Sequence, residues 1–390
     1  MENYCKGSVE DAQDIVDFAD YIFSTATAPH DFAQMIPKLY GEGKRTQEFH
    51  YLVKEDGRIR AMLCVLPLHF HVAGTVLKVG CVGTVSVHPR ARGKGYMQKL
   101  LQFALDEMKV EGYHFSVLGG QRQRYEYFGY EPAGIKMDFT LTSDNVRHKF
   151  KGLNADDIRF EELLEDSASL GDAFNLYEKG LVSGARNKEQ FVDILHTWNT
   201  HPYVITQGGQ FAGYLSLSQE NGSILEIMLV DPELLPVVCK SLMSVKRLTE
   251  LHFSLPAYDR DKITLLGSVC DTYRTTYQHN YNVFLYTPVI EAFMKCKVSE
   301  RRIQDGRYVL KIENAETIDI QVRNGEVSVQ RVEDANGVIQ PDAVLSAREA
   351  TALLFSPLSS YTAFSTGNEP ENIPVGWFPL PLYTPMLDCC

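Results

Sequence analysis

A β-branched run, Val85-Ser86-Val87, gives way to His88-Pro89-Arg90-Ala91-Arg92-Gly93-Lys94-Gly95, and an amphipathic segment starts directly behind it. Met97, Leu100, Leu101, Ala104, Leu105 and Met108 fall at helical spacing, which predicts a helix laying one face on a sheet. A strand that feeds a helix through a glycine-rich loop confines this part of the chain to an α/β unit. The start of a helix leaves backbone N–H groups without intrahelical partners, and Gly93 and Gly95 let a ligand come close to them. Those amides, the positive end of the helix dipole and the side chains of Arg90, Arg92 and Lys94 together predict a site for a pyrophosphate.

The spacing is neither the GxGxxG of dinucleotide folds nor the GK[ST] loop of triphosphate enzymes. Arg90-x-x-Gly93-x-Gly95 after a strand instead resembles the coenzyme A motif of the GNAT N-acetyltransferase superfamily. An ordinary strand-to-helix turn with a solvated basic loop is the plain alternative. The resemblance implies acetyl-coenzyme A as cosubstrate, held by Arg90, Arg92, Gly93, Lys94, Gly95, Tyr96, Met97 and Gln98. A backbone N–H of Val85, Ser86 or Val87 would then polarise the acyl carbonyl, and Gly120 and Gln121 would border the cofactor's path.

Length and charge narrow the rest. At 390 residues the chain exceeds the size at which one core keeps growing, so two or three domains are expected. A net charge of −12 argues against a nucleic-acid partner and suits cationic acceptors such as amines. No apolar stretch is long enough to span a bilayer, and the N-terminus shows no secretory pattern. The eight cysteines are scattered without a Cys-x-x-Cys pair, so a cytoplasmic protein with free thiols, no metal and no membrane partner is expected. The adjacent Cys389 and Cys390 leave a vicinal disulfide or metal ligation open beside two free thiols.

The chain divides into three segments. In the first (1–150), strands at Tyr51–Lys54 and Ala61–Val65 flank a turn at Glu55-Asp56-Gly57. Strands follow near Thr75–Lys78, Val82–Val87 and Tyr113–Leu118, predicting an α/β sheet whose ligand sits where strands part. The second (151–290) echoes that order, with strands around 203–205, 212–217 and 223–230. It carries Pro232-Glu233 where Arg and Gly would have to be, so it lacks the phosphate loop. The third (291–390) reads as a small α+β domain: strands at 308–312, 318–322 and 327–329, then a helix from Ala347 to Phe355 capped by Ser346 and Glu349. The Pro-rich, aromatic tail from Pro374 to Leu387 is too apolar to hang free.

This three-part order resembles the Eis-type (enhanced intracellular survival) acetyltransferases over the whole chain: a GNAT domain, a degenerate GNAT-like domain, and a C-terminal domain like sterol carrier protein type two. Tyr125-Glu126-Tyr127-Phe128-Gly129-Tyr130 matches the family pattern Tyr-x-x-Phe-Gly-Tyr. The resemblance implies Tyr125 as the general acid that protonates the departing thiolate, and the C-terminal carboxylate, here on Cys390, as general base. A phenol with a pKa of about 10 is a better match to a thiol at about 8.5 than a carboxylic acid is. A terminal carboxylate at about 3.5 needs apolar surroundings to become a useful base, and Trp377, Phe378, Leu380, Leu382 and Met386 are available. Lys94 is a departure, since the family often runs several arginines there; it keeps the positive charge. The resemblance also implies a homo-oligomer, hexamers being one assembly the family forms.

Other readings stay open. Tyr125, Tyr127, Phe128 and Tyr130 also suit an aromatic cluster closing the sheet. His69, His71 and His114 suit satisfied sheet histidines, a base or a metal pair, and Glu126 suits a base acting through water. The leading function is transfer of acetyl to a primary amine of an aminoglycoside, a polyamine or a lysine. A lipid carrier using the C-terminal domain and a non-catalytic coenzyme A sensor are the alternatives.

Overall fold

The structure, a computed structural model, describes residues 2–26, 28–333, 340–361 and 370–390. Thirteen strands in chain order build its main sheet: β1 (Glu2–Lys6), β2 (His50–Glu55), β3 (Arg58–Val72), β4 (Thr75–Val87), β5 (Phe115–Leu118), β6 (Glu131–Thr142), β7 (Ile158–Glu162), β8 (Val182–Gly184), β9 (Thr200–Gln207), β10 (Gln210–Ser218), β11 (Ser223–Leu229), β12 (Glu250–Pro256) and β13 (Tyr273–Val283). Their spatial order is β1-β2-β3-β4-β5-β13-β6-β12-β11-β10-β9-β7, with β8 added to the end of β3.

The β2–β3 hairpin turns on Asp56 and Gly57, both at positive φ (50° and 77°), as its short loop requires. β3 then runs on to Val72, well beyond the strand expected from sequence, straight through Pro67. β2 stops opposite Cys64, so Pro67 has a partner only on the β4 side, where it faces Gly80. β4 is likewise one strand of 13 residues where the sequence suggested two. Behind it the helix Tyr96–Val110 buries Leu100, Leu101, Ala104, Leu105 and Met108 against Leu63, Val65 and Val82.

The later strands repeat this order. A β9–β10 hairpin turns at Gly208-Gly209; β11, the helix Leu235–Lys246, β12, the helix Arg260–Val269 and β13 follow. In both runs a parallel pair forms the middle: β4 with β5 from Val79↔Phe115 to Val82↔Leu118, and β11 with β12 only at Ser223↔His252 and Ile224↔Phe253. Past those pairs the strands diverge.

The two runs are joined by exchange. β5 and β6 do not pair; β13 lies between them, antiparallel to both, while β6 also pairs with β12. One sheet therefore passes through residue 150 without a break, and each run lends a strand to the other. Tyr281 on β13 is fully buried in the largest cluster with Val79 and Phe115.

Beyond the helix Tyr286–Glu300, four strands β14 (Gly306–Ile312), β15 (Thr317–Arg323), β16 (Glu326–Arg331) and β17 (Ala343–Leu345) form a second sheet in the order β16-β15-β14-β17. Ser346 caps the next helix, Ala347–Phe355, in a capping box closed by Glu349. Tail residues Trp377, Leu380 and Leu382 are completely buried together with Tyr308 and Leu310 of this sheet and with Phe115 of the first run.

Because β13 closes a gap in the first run, a fragment ending at residue 150 should fail to unfold cooperatively in urea. A compact, cooperative fragment would contradict the exchange. In the full chain Tyr281→Ala should cost roughly 3–5 kcal/mol, as truncations of large buried aromatics do, read from the shift in the denaturation midpoint.

Candidate active site

The expected anion cradle sits at the mouth of the β4–β5 divergence. Pro89–Ala91 form a single 3-10 turn, capped by His88, whose Nδ1 accepts from the Arg90 N–H at 3.1 Å. Gly93 and Gly95 then take φ of 82° and 76°, a region that side chains enter only with strain, and the helix starts at Tyr96. A Cβ placed on Gly93 would meet nothing within 4 Å, so the loop is open to a ligand. A groove of about 340 Å³ runs along it, lined by Val87, Arg92, Gly93, Gly95, Met97 and Gln98. Arg92 is exposed in its lining, and Arg90, two residues earlier, is exposed outside it.

Two cradle residues have other employment. Lys94 Nζ bonds Glu55 at 2.5 Å, on the β2–β3 hairpin, rather than facing the groove with an unspent charge. Tyr96 is buried, and its hydroxyl donates to Glu55 and to Glu2. Both fasten the helix start to the sheet, and the cradle's positive charge is left to Arg90, Arg92 and the amides.

Deeper in, β4 is irregular. Its register against β3 slips between Gly83 and Ser86, so Thr84 and Val85 together oppose Leu63. Thr84 sits at φ 46°, a costly conformation for a β-branched residue, of order 1–3 kcal/mol. Its side chain is pinned: Oγ1 lies 2.7 Å from the Tyr40 hydroxyl, which in turn lies 3.0 Å from His50 Nε2. Burial holds His50 at a pKa of about 4, so its ring is neutral, and burial pushes the Tyr40 phenol well above its usual value. Ser86 Oγ donates to the Thr84 carbonyl at 2.9 Å. A bulge of this kind turns the backbone at Val85 out of the regular ladder, and Val85 and Val87 pack at the edge of the cluster beneath the cradle helix.

Tyr125 belongs to that same cluster, with Val82, Val85 and Leu118. It ends the short helix Arg122–Tyr125, and its ring covers Gly120, whose φ of 125° and lack of a side chain make room for it: a Cβ there would lie 2.9 Å from the ring. Asn280 of β13 fixes the Gly120 carbonyl at 3.0 Å. Burial raises the Tyr125 pKa, opposed by Arg124, so its proton is retained at neutral pH. Gln121 is exposed on the approach to this helix. Glu126 is paired to Arg122 and Arg348, and His114 Nδ1 accepts from the Lys78 N–H at 2.8 Å, which gives each a structural task.

Cys390 comes from the far end of the sequence to the same strand. A Cβ on Gly83 would stand 2.6–2.8 Å from its Sγ, O and C atoms, so only glycine leaves room for it. Its N–H points to Cys81 Sγ at 3.4 Å, its own Sγ lies 3.7 Å from the Cys81 sulfur, and it packs beside Cys64. Cys389 and Cys390 are both free thiols. Among the described residues no group of three His, Cys, Asp or Glu side chains is placed to hold a metal, and no helix is long and apolar enough to cross a membrane.

Gly83, Thr84, Tyr40, His50 and Lys38 went unremarked in the sequence. The glycine and the threonine stand inside an apolar strand pattern where an isolated Gly signals a bulge or close approach, which was the one available hint.

Residues 4–133 match the family model for the acetyltransferase (GNAT) domain. No curated protein matches the chain by sequence. Among solved structures, a GCN5-related N-acetyltransferase from Anabaena variabilis is similar with a TM-score of 0.62 at 16% identity, covering 90% of this chain and 89% of that one. A probable N-acyltransferase from Enterococcus faecalis gives 0.66 at 13% identity, covering 94% of each chain. Eis1 from Mycobacterium abscessus gives 0.58 at 14% identity, over 90% of this chain and 89% of its own. At such identities the likeness is one of fold. With the GNAT acetyltransferase domain over residues 4–133, it supports an acyltransferase.

Proposed function

We propose that this protein is an acetyl-coenzyme A-dependent N-acetyltransferase acting on a primary amine, such as that of an aminoglycoside, a polyamine or a lysine. The carrying observation is the coincidence at one spot of diverging parallel strands, an open loop with two left-handed glycines, and an uncapped helix start. Arg90, Arg92 and the amides of Gly93 to Gln98 hold the diphosphate, because anions are favoured at a helix N-terminus. Acetyl-coenzyme A supplies an activated thioester. The bulged backbone at Val85 offers its N–H to the acyl oxygen as charge builds there. Tyr125, buried and protonated, donates to the departing sulfur. In a chain ending at Cys390, the terminal carboxylate beside Gly83 takes the proton from the attacking amine. In this reading residues 1–150 form the catalytic GNAT domain, 151–290 a GNAT-like domain without a phosphate loop, and 291–390 a sterol-carrier-like domain.

Thiol release measured over a panel of amines tests the activity directly; release with none of them would sink it. Tyr125→Phe should lower kcat roughly 10²-fold, a usual loss for a positioned acid, with calorimetric affinity for coenzyme A unchanged. Wild-type turnover would remove Tyr125 from the mechanism. Gly95→Val forces a branched residue to φ 76°, and coenzyme A affinity should fall by about tenfold or more, in line with 1–2 kcal/mol of backbone strain. Two residues added after Cys390 should depress kcat while leaving cofactor affinity intact.

A further inference from the structure

The second run of strands carries no cradle. Asp231-Pro232-Glu233 leads directly into its helix, with no glycine loop. Yet its parallel pair diverges as the first one does, after Ile224 and Phe253. What lies at that divergence is the chain's own tail. Tyr383 and Pro385 close a cavity of about 110 Å³ together with Ile224, Glu226, Met228 and Leu255, and the Tyr383 hydroxyl donates to the Ser254 carbonyl at 3.3 Å.

From there the tail is tied down step by step on its way to Gly83. Thr384 bonds Gln278 and Tyr281 of the exchanged strand, its N–H donating to Gln278 Oε1 at 2.9 Å. Trp198 Nε1 donates to the Met386 carbonyl at 3.1 Å. Lys38, buried in the first run, donates to the carbonyls of Leu387 and, at 2.7 Å, Cys389. Between those two, Asp388 receives both Nε (2.8 Å) and Nη2 (3.1 Å) of Arg186, a side chain only 1% exposed. Glu226 grips the opposite edge of the same guanidinium at 2.8 and 2.6 Å, and the ring of Tyr177 lies 3.9 Å beneath it.

A buried ion pair is a poor source of net stability, but removing one partner is costly because it leaves the other charge buried and uncompensated. Here two buried basic side chains, 148 positions apart (Lys38 and Arg186), converge on three consecutive tail residues. We propose that the cradle-less run is a docking module for the tail, and that Arg186, through Asp388, and Lys38, through the carbonyls of Leu387 and Cys389, are positioning residues fixing Cys390 beside Gly83. The catalytic part of this claim rests on the assignment of the Cys390 carboxylate as base.

The test uses the full-length chain with Asp388→Asn, which keeps shape and removes one charge facing Arg186, and Lys38→Met, which removes both bonds to the tail. Two readouts are taken. The first is the rate at which a carboxypeptidase liberates cysteine from the native protein; it should rise by about tenfold or more, since cleavage follows the opened population. The second is acetyl transfer, in which kcat should drop on the order of 10²-fold, as a misplaced group of about 1 Å does, while KM for acetyl-coenzyme A stays within about twofold. Unchanged cysteine release in the folded variants overturns the clamp itself. Faster release with normal kcat leaves the clamp standing but overturns its positioning role, along with the carboxylate's role as base. Should Lys38→Met not fold, Asp388→Asn carries both readouts alone.

Discussion

The placement of β13 between β5 and β6 governs everything downstream of it. Backbone donors and acceptors on both flanks need partners, and only a strand from the other run supplies them. That pairing keeps β5 away from β6 and merges two α/β runs into one sheet. It also carries Gln278, Tyr281 and Asn280 to their tasks: the first two hold Thr384 of the tail, the third fixes Gly120 under Tyr125. Gly120, beneath the Tyr125 ring, and the tail at Thr384 are therefore both held by one common strand.

The site draws its character from local backbone irregularity held by regular surroundings. Gly93 and Gly95 accept left-handed conformations at little cost, whereas Thr84 does so against its preference and is kept there by Tyr40 and neutral His50. Gly83 has the complementary task, since its missing side chain is the space Cys390 occupies. Strain and absence of bulk thus meet at one stretch of β4, next to the mouth of the cradle.

Lys94 and Tyr96 illustrate how a motif residue divides its labour. Lys94 stands in the glycine loop and Tyr96 opens the helix behind it, and both are committed to Glu55, which anchors the helix start to the β2–β3 hairpin. Of the loop's basic side chains, Arg92 is the one left exposed in the lining of the groove. Glu126 shows the converse, a plausible base by position that is engaged in a cluster with Arg122, Arg348 and Glu131.

What the sequence determined by itself is local: the helix behind the cradle, read from apolar spacing; the turn at Asp56-Gly57; the capping box at Ser346; the glycines where φ had to be positive. Each follows from interactions within a few residues, and those are written in order along the chain. The exchange of β13, the passage of β3 through Pro67, the bulge at Thr84 and the grip of Lys38 and Arg186 on the tail were decided only by tertiary structure. Some join residues separated by hundreds of positions, Arg186 to Asp388 and Lys38 to Cys389 among them, and the nearer ones, such as Pro67 with Gly80, depend on how whole strands align. A buried charge has no signature in sequence, because its stability depends on a partner that folding alone brings within reach.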